Sequence, residues 1–197
     1  MDWNKGGTKP LRRHILQNLS CLQRQVRYDI KEHSLTNNPL PSYSNVVGMS
    51  LGKDNRIWLG LFGDGLYSAD LSLRNVQPFT AADGSHPFTN DIVSSILPYS
   101  ADRLYIGADR HGLCEVNTST RQCNIIADRY DGKNIFVRMV AKKQNEIWAA
   151  SEMGLYIYNV ATRSVQHFMY NPADPFSLSD NPLYCLFQDR DGGMWAG

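Results

Sequence analysis

The sequence predicts an all-β protein that repeats one structural unit. A strand-like phrase centred on an aromatic residue recurs at Arg56–Gly60, Arg103–Gly107, Glu146–Ala150 and Gly193–Gly197, and the first three copies are followed by Gly-Leu. The aromatic residues lie 47, 43 and 47 residues apart, at Trp58, Tyr105, Trp148 and Trp195. A period of about 40–50 residues of strand-like sequence is typical of β-propeller blades. We therefore expect a partial β-propeller, with about three four-stranded antiparallel blades and the start of a further one.

The third repeat shows how a blade divides into strands. Its apolar alternation and its polar turns predict strands at Phe136–Ala141, Glu146–Ala150, Leu155–Tyr158 and Ser164–Tyr170. The first strands of the other repeats are expected at Val46–Leu51, Ile92–Leu97 and Leu183–Gln188. Blades are therefore predicted over residues 43–88, 89–133 and 134–180, with an incomplete blade over 181–197.

The turns between predicted strands carry residues with specific conformational roles. A glycine precedes the third strand of each full repeat, at Gly65, Gly112 and Gly154, where we expect a positive φ. An Asx residue begins the next turn, at Asp70, Asn117 and Asn159, where its side chain can accept from its own backbone. Together with the buried aromatic residues, these positions are expected to build the blades.

The first 42 residues allow two interpretations. Residues 1–13 are expected to form a loose segment. Helical spacing of Ile15, Leu19, Leu22 and Val26 favours an amphipathic helix within residues 14–42. An alignment of Arg24–Tyr28 with Arg163–His167 favours instead the outer hairpin of a preceding blade.

Composition excludes several classes of partner. Lys and Arg number 20 against 19 Asp and Glu, so no strong charge predicts nucleic-acid binding. No apolar run approaches the roughly 20 residues that span a bilayer, so no membrane contact is expected within this chain. The polar start at Met1–Pro10 does not resemble a secretory signal.

The four cysteines do not have metal-binding spacing. Cys114 and Cys123 flank Asn117–Thr120, so a hairpin centred there would place them roughly opposite each other. Two interpretations stay open at this point, a cross-strand disulfide or two small apolar side chains.

Signatures of catalysis are missing from the sequence. It has no Gly-x-Ser-x-Gly, His-Glu-x-x-His or phosphate-binding loop, and its five histidines are scattered. We predict that the chain is not an enzyme and that it holds no cofactor and no metal.

Three ordered phrases resemble the two-component regulator propeller repeat. They are apolar-Trp-x-Gly at Ile57–Gly60, Gly-Leu at Gly65–Leu66 and Ser-Leu-Ser-x-Asn at Ser177–Asn181. The resemblance covers about residues 43–197, with Tyr105 in place of Trp and Ala150 in place of Gly. It implies the periplasmic sensor region of a hybrid two-component system histidine kinase, with the kinase outside this chain. Many members of the family sense oligosaccharides.

A propeller presents its second turns on one face, where side chains from several blades converge. The candidate ligand-binding residues there are Asp64, Asp109, Arg110, His111 and Glu152, next to Phe62 and Met153. Arg110 and His111 could hold a sugar hydroxyl or a uronic-acid carboxylate, or these charges could simply satisfy one another in a solvated turn.

Three functions are therefore weighed. The first is a non-catalytic sensor that binds an oligosaccharide and takes part in signal transduction. The second is a protein-interaction scaffold. The third, a propeller lyase or glycosidase, needs carboxylates that converge at one channel mouth, and the sequence does not predict such a set. Because an arc of about three blades leaves apolar end faces, we also expect self-association or closure by remaining blades.

Overall fold

The computed structural model describes residues 26–29, 34–37, 45–72 and 75–197, and all regular structure in these ranges is β. The chain divides into two units, residues 1–45 and residues 46–197. In the first unit β1 (Val26–Asp29) pairs antiparallel with β2 (Ser34–Asn37). The loose segment expected at 1–13 and most of the segment 14–42 lie outside the described residues, so the choice between helix and outer hairpin over 14–42 stays a prediction.

The second unit contains three four-stranded antiparallel sheets, which we call blades 1 to 3, a small two-stranded hairpin, and a two-stranded sheet that we call the fourth sheet. Blade 1 consists of β3 (Val46–Leu51), β4 (Ile57–Leu61), β5 (Gly65–Ala69) and β6 (Gln77–Pro78). Blade 2 consists of β7 (Val93–Pro98), β8 (Arg103–Ala108), β9 (Leu113–Asn117) and β10 (Gln122–Ala127). A short hairpin follows, β11 (Arg129–Tyr130) with β12 (Lys133–Asn134). Blade 3 consists of β13 (Val137–Lys143), β14 (Glu146–Ser151), β15 (Gly154–Asn159) and β16 (Val165–Phe168). The fourth sheet is β17 (Leu186–Gln188) with β18 (Met194–Ala196).

Each blade is a meander in which consecutive strands are neighbours. The first strands β3, β7, β13 and β17 also contact one another in sequence, so they line the inner side of the array. This arrangement confirms the predicted all-β, partial propeller architecture.

Apolar cores lie between adjacent sheets. Trp58 contributes to the core between blades 1 and 2, and Tyr105 to the core between blades 2 and 3. Tyr105 is fully buried and packs edge-on against Tyr99, with ring centroids 5.4 Å apart. Removing roughly 200 Å² of aromatic surface from water contributes about 5 kcal/mol as an upper value. The repeated aromatic residue therefore joins neighbouring blades.

The turn residues adopt the predicted conformations. Gly65, Gly112 and Gly154 have φ values of 81°, 59° and 102°. Asn117 Oδ1 accepts from Ser119 N at 3.0 Å and from Thr120 N at 2.8 Å. Asp70 and Asn159 accept from the backbone of their own turns in the same way.

One irregularity recurs in the inner strands. In each blade, one residue near the start of the inner strand has no partner in the second strand. This residue is Val47 in β3, Ser94 in β7 and Arg138 in β13. Such a β-bulge redirects the extra side chain and bends the strand. The three bulge residues therefore occupy equivalent positions on the inner side of the blades.

Candidate functional site

Two rows of equivalent residues meet on one end of the inner strands. The first residue after the second strand of each blade is Phe62, Asp109 or Glu152. The bulge residues Val47, Ser94 and Arg138 lie beside the ends of those second strands. We call these six residues the axial face.

Arg138 is the centre of a cluster on the axial face. Its guanidinium carbon lies 4.1 Å from the centroid of the Tyr184 ring and 5.4 Å from that of Phe136. Its Nη2 lies 4.0 Å from Glu152 Oε2. Its Nη1 is buried and has no hydrogen-bond partner in the described part of the chain. The cation–π contacts, which contribute about 0.5–2 kcal/mol, do not use the N–H groups of the guanidinium. Arg138 therefore keeps a hydrogen-bond donor that its neighbours do not use.

Tyr184 gives this cluster an apolar surface open to solvent. It precedes β17, and 65% of its surface is exposed. One ring therefore contacts the guanidinium and remains accessible to a ligand. An exposed aromatic ring beside charged hydrogen-bonding groups is the combination that recognises amphipathic rings such as sugars.

Asp109 of blade 2 lies in the electrostatic field of Glu152 of blade 3. Burial raises the pKa of Asp109, and the charges of Asp91 and Glu152 raise it further, while Arg110 opposes the rise. Two carboxylates from adjacent blades, both among the predicted candidate residues, therefore interact on the axial face.

A buried ion pair fixes the turn that carries Asp109. The Asp91 side chain is fully buried, and its Oδ2 lies 2.6 Å from His111 Nδ1. Its Oδ1 accepts from the backbone N–H of Ile92 at 2.7 Å, of Arg110 at 2.9 Å and of Asp109 at 3.1 Å. These contacts assign His111 a role in positioning the turn.

Ionisation of this pair follows from the contacts. Burial opposes the charged form of Asp91, but the hydrogen bonds from His111, Arg110 N and Ile92 N hold its pKa below the ordinary value. The hydrogen bond to Asp91 raises the pKa of His111 against the effect of burial. Each partner thus favours the charged form of the other.

Asp64 belongs to different surroundings. It lines a cavity of about 190 Å³ that is also lined by His86, Phe88 and Asn90. Of the five predicted site residues, the structure brings Asp109 and Glu152 together and places Arg110 and His111 in the turn with Asp109. Asp64 lines that other cavity.

Sequence reasoning did not identify Arg138, Tyr184, Phe136 or Asp91. Arg138 had one usable signal, since it is a charged residue within the otherwise apolar run Phe136–Ala141. Its inward placement depends on the bulge, which leaves no mark in the sequence.

A second surface recess lies between blades 1 and 2. It has a volume of about 420 Å³ and is lined by Arg56, Trp58, Thr118 and Arg121, among others. Trp58 Nε1 is buried there without a hydrogen-bond partner among the described residues. Within the same ranges no group of three potential metal ligands occurs, and no helix is long and apolar enough to cross a membrane.

Comparison with known proteins identifies the repeat. A family model described as two component regulator propeller matches residues 177–197. Histidine kinase P4 of Formosa agariphila is 26% identical over 168 residues, which are 79% of this chain and 12% of the kinase. These matches confirm the resemblance to two-component regulator propellers.

The fold is shared with solved propellers. The extracellular domain of a hybrid two component system from B. thetaiotaomicron superposes with a TM-score of 0.70 and 24% identity over 87% of this chain and 23% of that chain. A second such domain from B. thetaiotaomicron has a TM-score of 0.56 and 15% identity, over 87% of this chain and 29% of its own. The β-propeller domain of Cps50 from Myceliophteria thermophila has a TM-score of 0.57 and 13% identity, over 85% of this chain and 52% of that domain. This chain thus spans about an eighth of the curated kinase and about a quarter of the two-component structures.

Proposed function

We propose that this chain, which carries the two-component regulator propeller repeat, is part of an extracytoplasmic sensor and binds an oligosaccharide on the axial face. The repeat and the likeness to extracellular domains of two-component systems support the sensor role. The Arg138 cluster is the observation that carries the ligand assignment. A kinase outside this chain would receive the signal.

The chemistry of the cluster suits a sugar. The exposed Tyr184 ring offers a flat face for the C–H side of a pyranose, and Arg138 supplies donors at the edge of that ring. Asp109 and Glu152 supply acceptors for hydroxyl groups. Hydrogen bonds to charged groups contribute about 1.5–3 kcal/mol each, so loss of one costs about tenfold or more in affinity.

Binding without catalysis is the role that we assign to the two carboxylates. Glycoside hydrolysis requires one carboxyl that donates a proton and one that stays ionised. The raised pKa of Asp109 beside Glu152 fits part of this requirement, but the ion pair between Glu152 and Arg138 favours a binding role. Incubation with the bound oligosaccharide decides between these roles, because an enzyme would release shorter sugars and a sensor would return the ligand intact.

Calorimetry against a panel of neutral and acidic oligosaccharides tests the binding site. We expect Arg138→Ala and Tyr184→Ala to weaken binding about tenfold or more. The matched controls are Arg190→Ala, in the turn between β17 and β18, and Tyr170→Ala, which follows β16. Equal affinity of the Arg138 and Arg190 variants would exclude the cluster as the binding site.

Protein interaction is a second candidate, supported by exposed aromatic residues of the fourth sheet. Phe187 and Trp195 are paired across β17 and β18, and they are 64% and 65% exposed. In blades 1 and 2 the residues equivalent to Trp195, Trp58 and Tyr105, are buried. The fourth sheet is therefore the surface that we propose for contact with further blades or with a second copy of the chain.

A further inference from the structure

Two cysteines on neighbouring strands of blade 2 lie on the same side of the sheet. Cys114 of β9 is paired with Ile125 of β10, and Cys123 of β10 is paired with Val116 of β9. The cysteines are therefore diagonal neighbours, and the sequence-based expectation that they lie opposite each other is corrected. Because Cys123 is two residues from Ile125, both side chains point to one face.

Both thiols belong to the core between blades 1 and 2. Cys114 is a fully buried member of that core, and Cys123 packs against it while remaining partly exposed. Cys114 Sγ donates its hydrogen to His111 O at 3.1 Å, and each thiol influences the pKa of the other. Both side chains therefore lie on the same face of the sheet and in the same core.

We propose that Cys114 and Cys123 form a disulfide when the protein meets a disulfide oxidant, which makes the pair a redox modification site of blade 2. This inference is independent of the proposed ligand. Such an oxidant occurs in extracytoplasmic compartments, where disulfides persist.

The reaction is a pair of thiol–disulfide exchanges. The Cys123 thiolate attacks an oxidant disulfide, which forms a mixed disulfide and releases one oxidant thiol. The Cys114 thiolate then attacks Cys123 Sγ, which closes the protein disulfide and releases the second oxidant thiol. The two cysteines are oxidised by two electrons, the oxidant disulfide is reduced by two, and both cysteine protons end on the released thiols.

The order of attack follows from the surroundings of each sulfur. The neighbouring Cys114 thiol lowers the pKa of Cys123, burial opposes this, and the charge of His111 lowers it further. The neighbouring Cys123 thiol and burial both raise the pKa of Cys114. The partly exposed Cys123 is thus the thiol that an oxidant meets first.

The strand arrangement allows the bond to close. Diagonal neighbours in a sheet are separated by about 7–8 Å, just beyond the usual Cα separation of a disulfide, so closure requires a small backbone shift. β10 is an edge strand of blade 2 and contains an irregularity between Ile125 and Ala127, so it can move without breaking a second ladder. Closure also removes the S–H that Cys114 donates to His111 O.

Peptide mapping tests the proposal directly, because Arg121 lies between the two cysteines. Trypsin separates Cys114 in His111–Arg121 from Cys123 in Gln122–Arg129. The full chain is incubated with oxidised glutathione, and free thiols are then alkylated. We expect the two peptides to be recovered as one linked species that dithiothreitol separates. Cys185→Ser should leave this species unchanged, and Cys123→Ser should abolish it.

A comparison with the unfolded chain shows whether the fold promotes the bond. In urea the same cysteines meet only by chain diffusion, so the folded protein should form the link at a glutathione redox ratio about tenfold less oxidising. Recovery of Cys114 and Cys123 as separate alkylated or glutathionylated peptides from the folded chain would overturn the proposal. So would a link from either cysteine to Cys185.

Discussion

The Asp91 carboxylate organises the turn that precedes β9. It accepts three backbone N–H groups and pairs with His111, although its side chain is fully buried. Removing one partner of a buried pair leaves the other groups without hydrogen bonds. Asp91 therefore determines where the backbone of Asp109 and Arg110 lies.

Asp91→Ala is expected to lower the free energy of unfolding by about 3 kcal/mol, because the His111 imidazolium and the turn N–H groups lose their acceptor. Urea denaturation followed by fluorescence measures the change. Asp83→Ala is the control, since the Asp83 carboxylate hydrogen-bonds Ser85 within an exposed turn. Similar losses for the two variants would contradict the role given to Asp91.

The same pair predicts a pH dependence of stability. The pKa of Asp91 is lowered from 3.8, so its contribution is present above 3.8 and is lost as the pH falls through the folded-state pKa. The pKa of His111 is raised from 6.5, so its contribution is complete below 6.5 and is lost as the pH rises through the folded-state pKa. The pair should stabilise most between pH 3.8 and 6.5. In His111→Gln, unfolding measured from pH 5 to 9 should lose this alkaline decline, and a decline equal to wild type would exclude His111 as its source.

Asp109 should show a conflict between stability and binding. Its pKa is raised by burial and by the charges of Asp91 and Glu152, so its ionised form destabilises the fold and stability increases as the pH falls through the folded-state pKa. Asp109→Asn should therefore raise the free energy of unfolding at neutral pH by a few tenths to about 1 kcal/mol. It should also weaken oligosaccharide binding. A variant that is less stable than wild type would contradict the repulsion inferred here.

At the scale of the structural element, the glycine of the Trp-x-Gly phrase controls how closely blades pack. A Cβ on Gly60 would lie 2.0 Å from Val93 O of blade 2, and one on Gly107 would lie 2.9 Å from Val137 O of blade 3. Ala150 fills the equivalent position of blade 3, against Leu183 and Leu186. The spacing between adjacent inner strands thus differs from one blade junction to the next.

The loss of stability on substitution by alanine should increase with the closeness of these contacts. We expect Gly60→Ala to cost about 3 kcal/mol and Gly107→Ala about 1–2 kcal/mol, because backbone atoms of the next blade must move. Gly84→Ala is the control, since no atom lies within 4 Å of its Cβ and only its φ of 83° opposes the change. It should cost about 1 kcal/mol. Thermal or urea unfolding gives the order, and equal losses at Gly60 and Gly84 would contradict the packing argument.

The strands were the part of the structure most accessible from sequence. The first strand of blade 1 was predicted at Val46–Leu51 and has those bounds. The second strand of blade 3 was predicted at Glu146–Ala150 and extends one residue further, to Ser151. Alternation and turn residues act locally, so they can be read from one sequence. The register between strands was harder to predict, because it depends on the exact length of the turn. In blade 2 the turn has four residues, Thr118–Arg121, and this length places Cys114 and Cys123 diagonally.

The candidate site was less predictable, for a physical reason. Side chains that converge from different blades depend on blade spacing and on bulges, and neither has a local signal. Asp109 and Glu152 were identified because they follow repeated strands. Arg138 and Tyr184 were not, since the bulge and the neighbouring sheet bring them together.

At the scale of the whole molecule, the exposed aromatic residues of the fourth sheet predict association. Phe187 and Trp195 present exposed apolar surface, whereas Trp58 and Tyr105, the equivalents of Trp195 in blades 1 and 2, are buried. Light scattering after size-exclusion chromatography should show self-association that Phe187→Ser with Trp195→Ser reduces. Phe176→Ser is the control, because Phe176 is 95% exposed outside that sheet. A monomeric wild-type chain at high concentration would contradict this prediction.

The central claim is that the ligand binds on the axial face, and mapping of backbone amide shifts by NMR tests it most directly. An oligosaccharide selected by calorimetry is titrated into the isotope-labelled chain. We predict the largest shifts at Arg138, Glu152 and Tyr184, which line the cluster. Shifts concentrated in the recess lined by Arg56, Thr118 and Arg121, with none on the axial face, would contradict the account.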